Sequence, residues 1–210
     1  MNTILDFHTH RSDAAGAIIS MDPRQFDPQP GLWYSVGYHP WYDVGKLTEA
    51  DFGLLEQCAR HPQVLVVGET GMDSLRGADL DTQARVFVRH LRLAAEVKKP
   101  VVVHCVRTAQ RIIQERYKAE LDHVTLAIHG MRANEHIAQI LLDAGCYLSF
   151  GVRFNPAALQ VTPLDRLLIE TDESTASISN VAMIIASSLN LTSEQIIKTA
   201  AGNAQRLLVM

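Results

Sequence analysis

Two histidines and an aspartate alternate near the start of the sequence, in the segment Asp6-Phe7-His8-Thr9-His10. Successive side chains of a β-strand point to opposite faces of a sheet, so Asp6, His8 and His10 would share one face of an extended segment. Imidazole and carboxylate groups are the ligands that zinc, manganese, iron and related divalent ions take in proteins. The segment is therefore typical of the beginning of a metal site.

Later apolar runs also end in histidines or acidic residues, namely Glu69, His104, His129 and the pair Glu170 and Asp172. The carboxyl ends of parallel strands converge on one face of a barrel, where active sites of that architecture lie. The candidate ligands exceed what one tetrahedral ion needs, so we expect two divalent ions, zinc, manganese, magnesium or similar. Glu69 is the natural bridging carboxylate. Asp6 is expected to orient a histidine by accepting its other N–H.

Short apolar runs that alternate with helical patterns position these residues. The predicted strands cover residues 3–7, 17–21, 32–37, 64–69, 100–104, 124–129, 146–151 and 166–172. Most are continuous rather than alternating in hydrophobicity, which indicates strands that are buried on both faces of a parallel sheet. Helices are predicted from an N-cap at Thr48 to residue 60, and over 83–99, 108–121, 134–143, 179–190 and 193–201.

This pattern predicts an α/β fold, a (β/α)8 TIM-like barrel that forms one domain over residues 1–210. The barrel should be distorted, because the first three strands leave room only for short connections such as residues 11–16. The first helices are therefore expected to be missing or reduced to a turn.

Composition limits the classes of function. The chain has 210 residues, of which 47% are hydrophobic and 20% are charged, with a formal net charge of -4. This mildly acidic balance gives no overall electrostatic footprint for nucleic acid, so any such binding must be local. The three cysteines follow no CxxC spacing, and neither a leader nor a run approaching the ~20 apolar residues of a membrane span is visible. We expect a cytoplasmic protein without a membrane segment.

Several other residues have predicted roles. His39 should end the third strand at the barrel mouth and contact substrate, and Arg107 and Arg132 follow ligand-bearing strands and could clamp phosphate. Trp33 and Trp41 flank the third strand, where core packing is favoured over base stacking. Surface positions are predicted for His61, His90, His123 and His136, and Asn203 is predicted to cap a short last helix.

The sequence resembles the TatD-related family of metal-dependent hydrolases. The resemblance runs in order through DFHTH (6–10), VGYHPW (36–41), VGETGMD (67–73), PVVVHC (100–105), AIHGM (127–131), GCYLSFG (145–151), RLLIETD (166–172) and GNAQRLL (202–208). It implies a distorted TIM barrel, a divalent metal centre and hydrolysis of phosphodiester bonds, often in DNA.

The resemblance also implies roles for individual residues. His8, His10 and Asp172 would bind one ion, His104 and His129 would bind the second, and Glu69 would bridge them. Asp172 would serve in addition as the general base for a metal-activated water, so Asp172 and Glu69 are the predicted catalytic residues.

The chain departs from the family pattern at the mouth of the barrel. It is short near residues 11–33, Arg107 stands one position later than expected, and Glu173, Ser174 and Thr175 replace a small residue and a proline. Glu173 would disfavour an anionic substrate unless it pairs with an arginine or ligates metal.

The leading prediction is a DNA exonuclease. Alternatives are a metal-dependent hydrolase of a small-molecule ester, lactone or amide, and a non-catalytic protein that binds a metal or a partner.

Overall fold

A barrel of parallel strands in sequential order forms the centre of the molecule, which a computed structural model describes for residues 3–209. The barrel closes where Thr9, at the end of the first strand, bridges Asp172, just after the last one. The predicted α/β barrel is therefore confirmed. Its strands are β1 Asp6–Thr9, β2 Ala17–Met21, β3 Trp33–Val36, β4 Val64–Asp73, β5 Val101–Val106, β6 Leu126–Ile128, β7 Tyr147–Phe150 and β8 Leu167–Ile169.

The helices are unevenly distributed around this barrel. Between β2 and β3 the chain forms only a short 3-10 helix, Pro23–Gln25, and the described connection from β1 to β2 holds no helix, so the predicted loss of the first helices is confirmed. From β3 onward the α-helices are α1 Glu49–Ala59, α2 Leu80–Val97, α3 Ala109–Lys118, α4 Glu135–Asp143, α5 Pro156–Val161, α6 Ile178–Leu189 and α7 Ser193–Val209. Within residues 3–209, no helix is both long and apolar enough to cross a membrane.

A small apolar cluster fills the interior of the barrel. It takes buried side chains from nearly every strand, among them Val66 of β4, Val102 of β5 and Ala127 of β6, and it includes Leu207 of α7. Side chains two residues apart on a strand share a face, so His104 follows Val102 into the interior as the strand approaches its carboxyl end. The apolar layer thus closes one end of the barrel and leaves the carboxyl ends of the strands to polar residues.

The predicted elements differ from the observed ones where long-range contacts determine the ends of a strand or helix. Strand β4 runs four residues past Glu69, to Asp73, because it continues to pair with β5 as far as Asp73 and Val106. Helix α5 was not predicted. Helix α7 continues to Val209, so the prediction that Asn203 caps a separate short helix is wrong. The buried Asn203 amide instead donates to the carbonyl oxygens of Leu164 and Leu167, which ties α7 to the start of β8.

His90 is fully buried in α2, so its predicted surface position is wrong. Its Nδ1 lies 2.8 Å from the carbonyl oxygen of Val86, which only accepts, so Nδ1 carries the proton. Nε2 then accepts from the backbone N–H of Tyr38 at 3.0 Å. Tyr38 immediately precedes His39, so this neutral imidazole holds in place the segment that leads His39 into the barrel mouth.

Burial lowers the pKa of His90 to about 4, from an ordinary value of 6.5. Between these values the unfolded chain protonates His90 while the folded chain does not, so stability should fall as the pH drops from 6.5 to 4. In His90→Gln an amide replaces both hydrogen bonds without titrating. We expect the wild type to lose up to about 3 kcal/mol more unfolding free energy than His90→Gln across this range.

Denaturant unfolding of both proteins in chelator, at intervals of pH, measures this difference. The exposed His136 supplies the control, His136→Gln, which should follow the wild type. Identical pH profiles for wild type and His90→Gln would contradict the assignment.

Candidate metal centre

Glu69 lies at the centre of the polar end of the barrel with only 3% of its surface exposed. Gly68, the preceding residue, allows the chain to place Glu69 there. Gly68 has φ +124°, and a Cβ built on it would lie 2.4 Å from the carbonyl oxygen of Val102. Only glycine tolerates both this positive φ angle and this close approach to the carbonyl oxygen. Strand β4 can therefore lie close against β5 at the residue just before Glu69.

One oxygen of Glu69 faces His8 of β1 and His10, the residue that follows this strand. Its Oε2 lies 3.2 Å from Nε2 of His8 and 3.4 Å from Nε2 of His10. Asp172 completes this side, since its Oδ1 lies 3.8 Å from Nε2 of His8 and 3.7 Å from Nε2 of His10. The structure therefore brings together the four residues that were expected around one ion.

The other oxygen of Glu69 faces a second set of imidazoles. Its Oε1 lies 2.8 Å from Nε2 of His129 and 3.0 Å from Nδ1 of His104. His39, expected only as a substrate contact, joins this set because its Nε2 is 2.8 Å from the same oxygen. The two oxygens of a single carboxylate thus divide five histidines into two groups.

The chemistry of these donors fits a divalent cation. Oε2 of Glu69 and both ring nitrogens of His8 are buried and have no hydrogen-bond partner among residues 3–209, although Oε2 and Nε2 approach to 3.2 Å. Buried polar atoms are rarely left unpaired, so a contact this close without hydrogen-bond geometry points to a shared partner. His8, His10 and Asp172 place one ligand atom each within 4.8 Å of one another, as do His39, Glu69 and His104.

Two acidic residues outside the predicted ligand set contact the second group. Oδ2 of Asp73 lies 3.2 Å from Nε2 of His104, on the side of the ring away from Glu69. Oε1 of the buried Glu170 lies 3.7 Å from Nδ1 of His129 and accepts from the backbone N–H of Gly130. Carboxylates behind metal-binding histidines fix the ring and raise its basicity. Sequence reasoning missed Asp73 because it ended β4 too early.

The electrostatics of the cluster keep Glu69 ionised. Burial by itself would raise the pKa of Glu69, but the charge of His129 and contacts with neighbouring imidazoles hold it well below its usual value. Burial would likewise lower the pKa of His129, but the facing carboxylate of Glu69 holds it well above the ordinary value. An ionised carboxylate is the form that a cation requires as a ligand.

Asp6 does not play the predicted part. Its two oxygens accept from the backbone N–H of Thr171 at 3.0 Å and from the Thr171 hydroxyl at 2.6 Å, while Nδ1 of His8 has no partner in the described chain. Asp6 therefore fastens β1 to the residue before Asp172 instead of orienting a histidine. Burial raises the pKa of Asp6 to about 6.

The predicted phosphate-binding arginines lie beside the cluster. Arg107 and Arg132 are exposed, and with His129 they line a cavity of about 630 Å³ between the first turns of α3 and α4. Nη2 of Arg132 is 3.9 Å from Oδ2 of Asp172. Glu173 is also exposed, and no arginine within the described residues lies within 4.0 Å of its carboxylate.

Comparison with known proteins agrees with this geometry. Residues 24–209 match the family model described as TatD related DNase. The chain belongs to the TatD-related family. The predicted class, a metal-dependent hydrolase, is thereby confirmed.

Individual TatD-related proteins show how far the similarity extends. A Bacillus subtilis protein named uncharacterized metal-dependent hydrolase YabD is 27% identical over 197 residues, which cover 84% of this chain and 77% of the relative. The 3'-5' ssDNA/RNA exonuclease TatD of Cronobacter turicensis is 32% identical over 153 residues, or 68% of this chain. That match spans only 57% of the exonuclease. The crystal structure of the TatD homologue YjjV from Escherichia coli covers 99% of both chains with a TM-score of 0.80 and 17% identity, and it supports the fold.

Replacing Asp73 by asparagine tests whether this carboxylate supports the centre. Loss of its charge should weaken the affinity for Zn²⁺ by about 10- to 100-fold, because His104 becomes a poorer donor. Competition with a chromophoric chelator measures the affinity. The exposed Asp165, which lies in the 3-10 helix Leu164–Arg166 before β8, supplies the control Asp165→Asn. Equal affinities for wild type and Asp73→Asn would show that Asp73 does not act through His104.

Proposed function

We propose that the protein is a two-metal hydrolase of phosphodiester bonds that degrades DNA from a strand end. One observation carries this proposal: the two oxygens of Glu69 face separate groups of histidines. A carboxylate that faces two ligand groups is suited to hold two ions close together, the arrangement that many phosphodiesterases and nucleases use.

Each group would hold one ion. His8, His10 and Asp172 would bind the first together with Oε2 of Glu69, and His104 and His129 would bind the second together with Oε1. When bound, divalent ions activate water as a nucleophile and stabilise the charge that develops on phosphoryl oxygens. All other steps fall to the side chains of the protein.

Asp172 is suited to accept the proton of the attacking water. Its side chain is 23% exposed, so a proton can pass from it to solvent. Its backbone is fixed, because its N–H donates to the carbonyl oxygen of His8 and its carbonyl oxygen accepts from the N–H of His10. The carboxylate is thus held at the mouth by the same contacts that close the barrel.

The arginines beside the cluster would orient the phosphate backbone. Arg107 and Arg132 border one cavity that reaches His129, and a guanidinium can bind two phosphate oxygens at once. Their charges supply a local attraction for DNA in a chain of net charge -4. His39 would contact the substrate or its leaving group at the edge of the second group.

The name of the Cronobacter turicensis relative, a 3'-5' ssDNA/RNA exonuclease, supports single-stranded DNA as the first substrate to examine. Glu173 at the rim, which has no arginine or lysine partner among residues 3–209, instead favours a neutral substrate, because a carboxylate repels phosphate. Hydrolysis of a small ester, lactone or amide in the same barrel is therefore the second candidate.

Cleavage of single-stranded DNA, labelled at either end and followed on a gel, tests the proposal. With Mg²⁺ or Mn²⁺ the wild type should shorten the strand progressively from its 3' end, and chelator should stop the reaction. Glu69→Ala should lower the rate by at least about 100-fold, because it removes a ligand from both groups.

The matched control is Glu194→Ala, since Glu194 is exposed in the first turn of α7. This variant should cleave at the wild-type rate. Intact DNA under every ion, with metal bound to the protein, would overturn the nuclease proposal. Hydrolysis of small esters or lactones by the same sample would then favour the second candidate.

A further inference from the structure

Trp41 lies exposed at the mouth of the barrel, so the prediction of core packing is wrong. It retains 43% of its surface accessible, and its neighbour Tyr42 retains 47%. The ring nevertheless lies against the metal centre. Its centroid is 4.8 Å from that of His39 and 5.2 Å from that of His104, in edge-to-face contacts with both imidazoles.

The orientation of the indole is fixed by its own polar atom. Nε1–H of Trp41 donates to Oδ2 of Asp73 at 2.6 Å, the same oxygen that contacts His104. The only hydrogen-bonding group of the side chain is therefore satisfied, and what remains exposed is apolar ring surface. A large aromatic ring held rigidly in this way loses little entropy when a ligand covers it.

A cation lies over this ring. The guanidinium of Arg76 is 4.6 Å from the ring centroid, and no carboxylate of residues 3–209 lies within 4.0 Å of it. Gly77 makes the arrangement possible, because it has φ +87° and a Cβ there would lie 2.1 Å from the carbonyl oxygen of Pro40. The loop after β4 can therefore pack directly against the loop that carries Trp41.

We propose that Trp41 and Arg76 form a stacking subsite for a nucleobase next to the bond that is cleaved. The proposal rests on the phosphodiesterase function given above and names the part of the substrate that this surface would bind. The exposed part of the Trp41 ring lies next to a candidate metal centre, and the guanidinium over one of its faces has no carboxylate of residues 3–209 within 4.0 Å. This combination matches a ligand with a planar ring and a phosphate. A small aliphatic ester or lactone offers neither group.

Two charge-matched probes test the subsite without cleavage. One is a fluorescein-labelled six-nucleotide oligodeoxyadenylate, and the other is a labelled abasic sugar-phosphate chain of equal length. Binding is measured by fluorescence anisotropy in chelator. The wild type should bind the oligodeoxyadenylate more tightly than the abasic chain, because only the former can stack.

Substitutions at Trp41 separate stacking from the hydrogen bond to Asp73. Trp41→Leu removes both, whereas Trp41→Phe removes only the hydrogen bond. We expect Trp41→Leu to weaken binding of the oligodeoxyadenylate by about fivefold or more and to leave the abasic chain unaffected, while Trp41→Phe stays within about twofold of the wild type. The control is Tyr117→Leu, since Tyr117 is 52% exposed near the end of α3, away from the mouth.

The possible outcomes distinguish this proposal from the function on which it rests. Base-dependent binding that Trp41→Leu abolishes, in a protein that does not cleave DNA, would retain the subsite and overturn the nuclease function. Cleavage of DNA by a protein that binds both probes equally would overturn the subsite alone. Equal losses in Trp41→Phe and Trp41→Leu would also overturn it, since the hydrogen bond to Asp73 would then explain both.

Discussion

A buried carboxylate governs the architecture of this protein. An ionised side chain removed from water costs several kcal/mol unless partners surround it, and Glu69 is almost completely enclosed. Imidazoles from β1 and β5, and from residues that follow β1, β3 and β6, surround this carboxylate. Because they approach the two oxygens from different sides, the compensation of one charge also creates two groups of candidate ligands.

The barrel places these groups by joining its two ends at the candidate metal centre itself. The backbone of Asp172 forms hydrogen bonds with the backbone of His8 and His10. The side chain of Asp6 accepts a hydrogen bond from the backbone N–H of Thr171. Closure of the barrel and assembly of the ligands are therefore the same event. The apolar layer beneath, which Leu207 of α7 completes, keeps the opposite end packed and leaves the polar end as the place where substrate can enter.

The convergence of the candidate ligands could be predicted from sequence because it depends on a simple rule. Each follows an apolar run, and the carboxyl ends of parallel strands converge. The contacts that support the ligands do not follow from any local pattern. Asp6 bonds to Thr171, which is 165 residues away, and β4 reaches Asp73 only because β5 continues beside it.

The hydrophobic periodicity of the sequence likewise does not predict which side chains are exposed to solvent. Sequence alone could not distinguish a core tryptophan from Trp41, which lies in the connection after β3 and keeps 43% of its surface exposed. The same ambiguity affected His90, which lies on the buried face of α2. In both cases the solvent exposure of the side chain depends on neighbouring elements. Their positions follow from the closed barrel and not from the local sequence.

The central claim is the proposal that Glu69 would hold two ions, one at each oxygen. Anomalous diffraction from crystals grown with Mn²⁺ tests it most directly. The account predicts two peaks flanking the carboxylate, one bound by His8, His10 and Oε2, and the other by His104, His129 and Oε1. A single peak, or two peaks of which one lacks Glu69 as a ligand, would contradict the account.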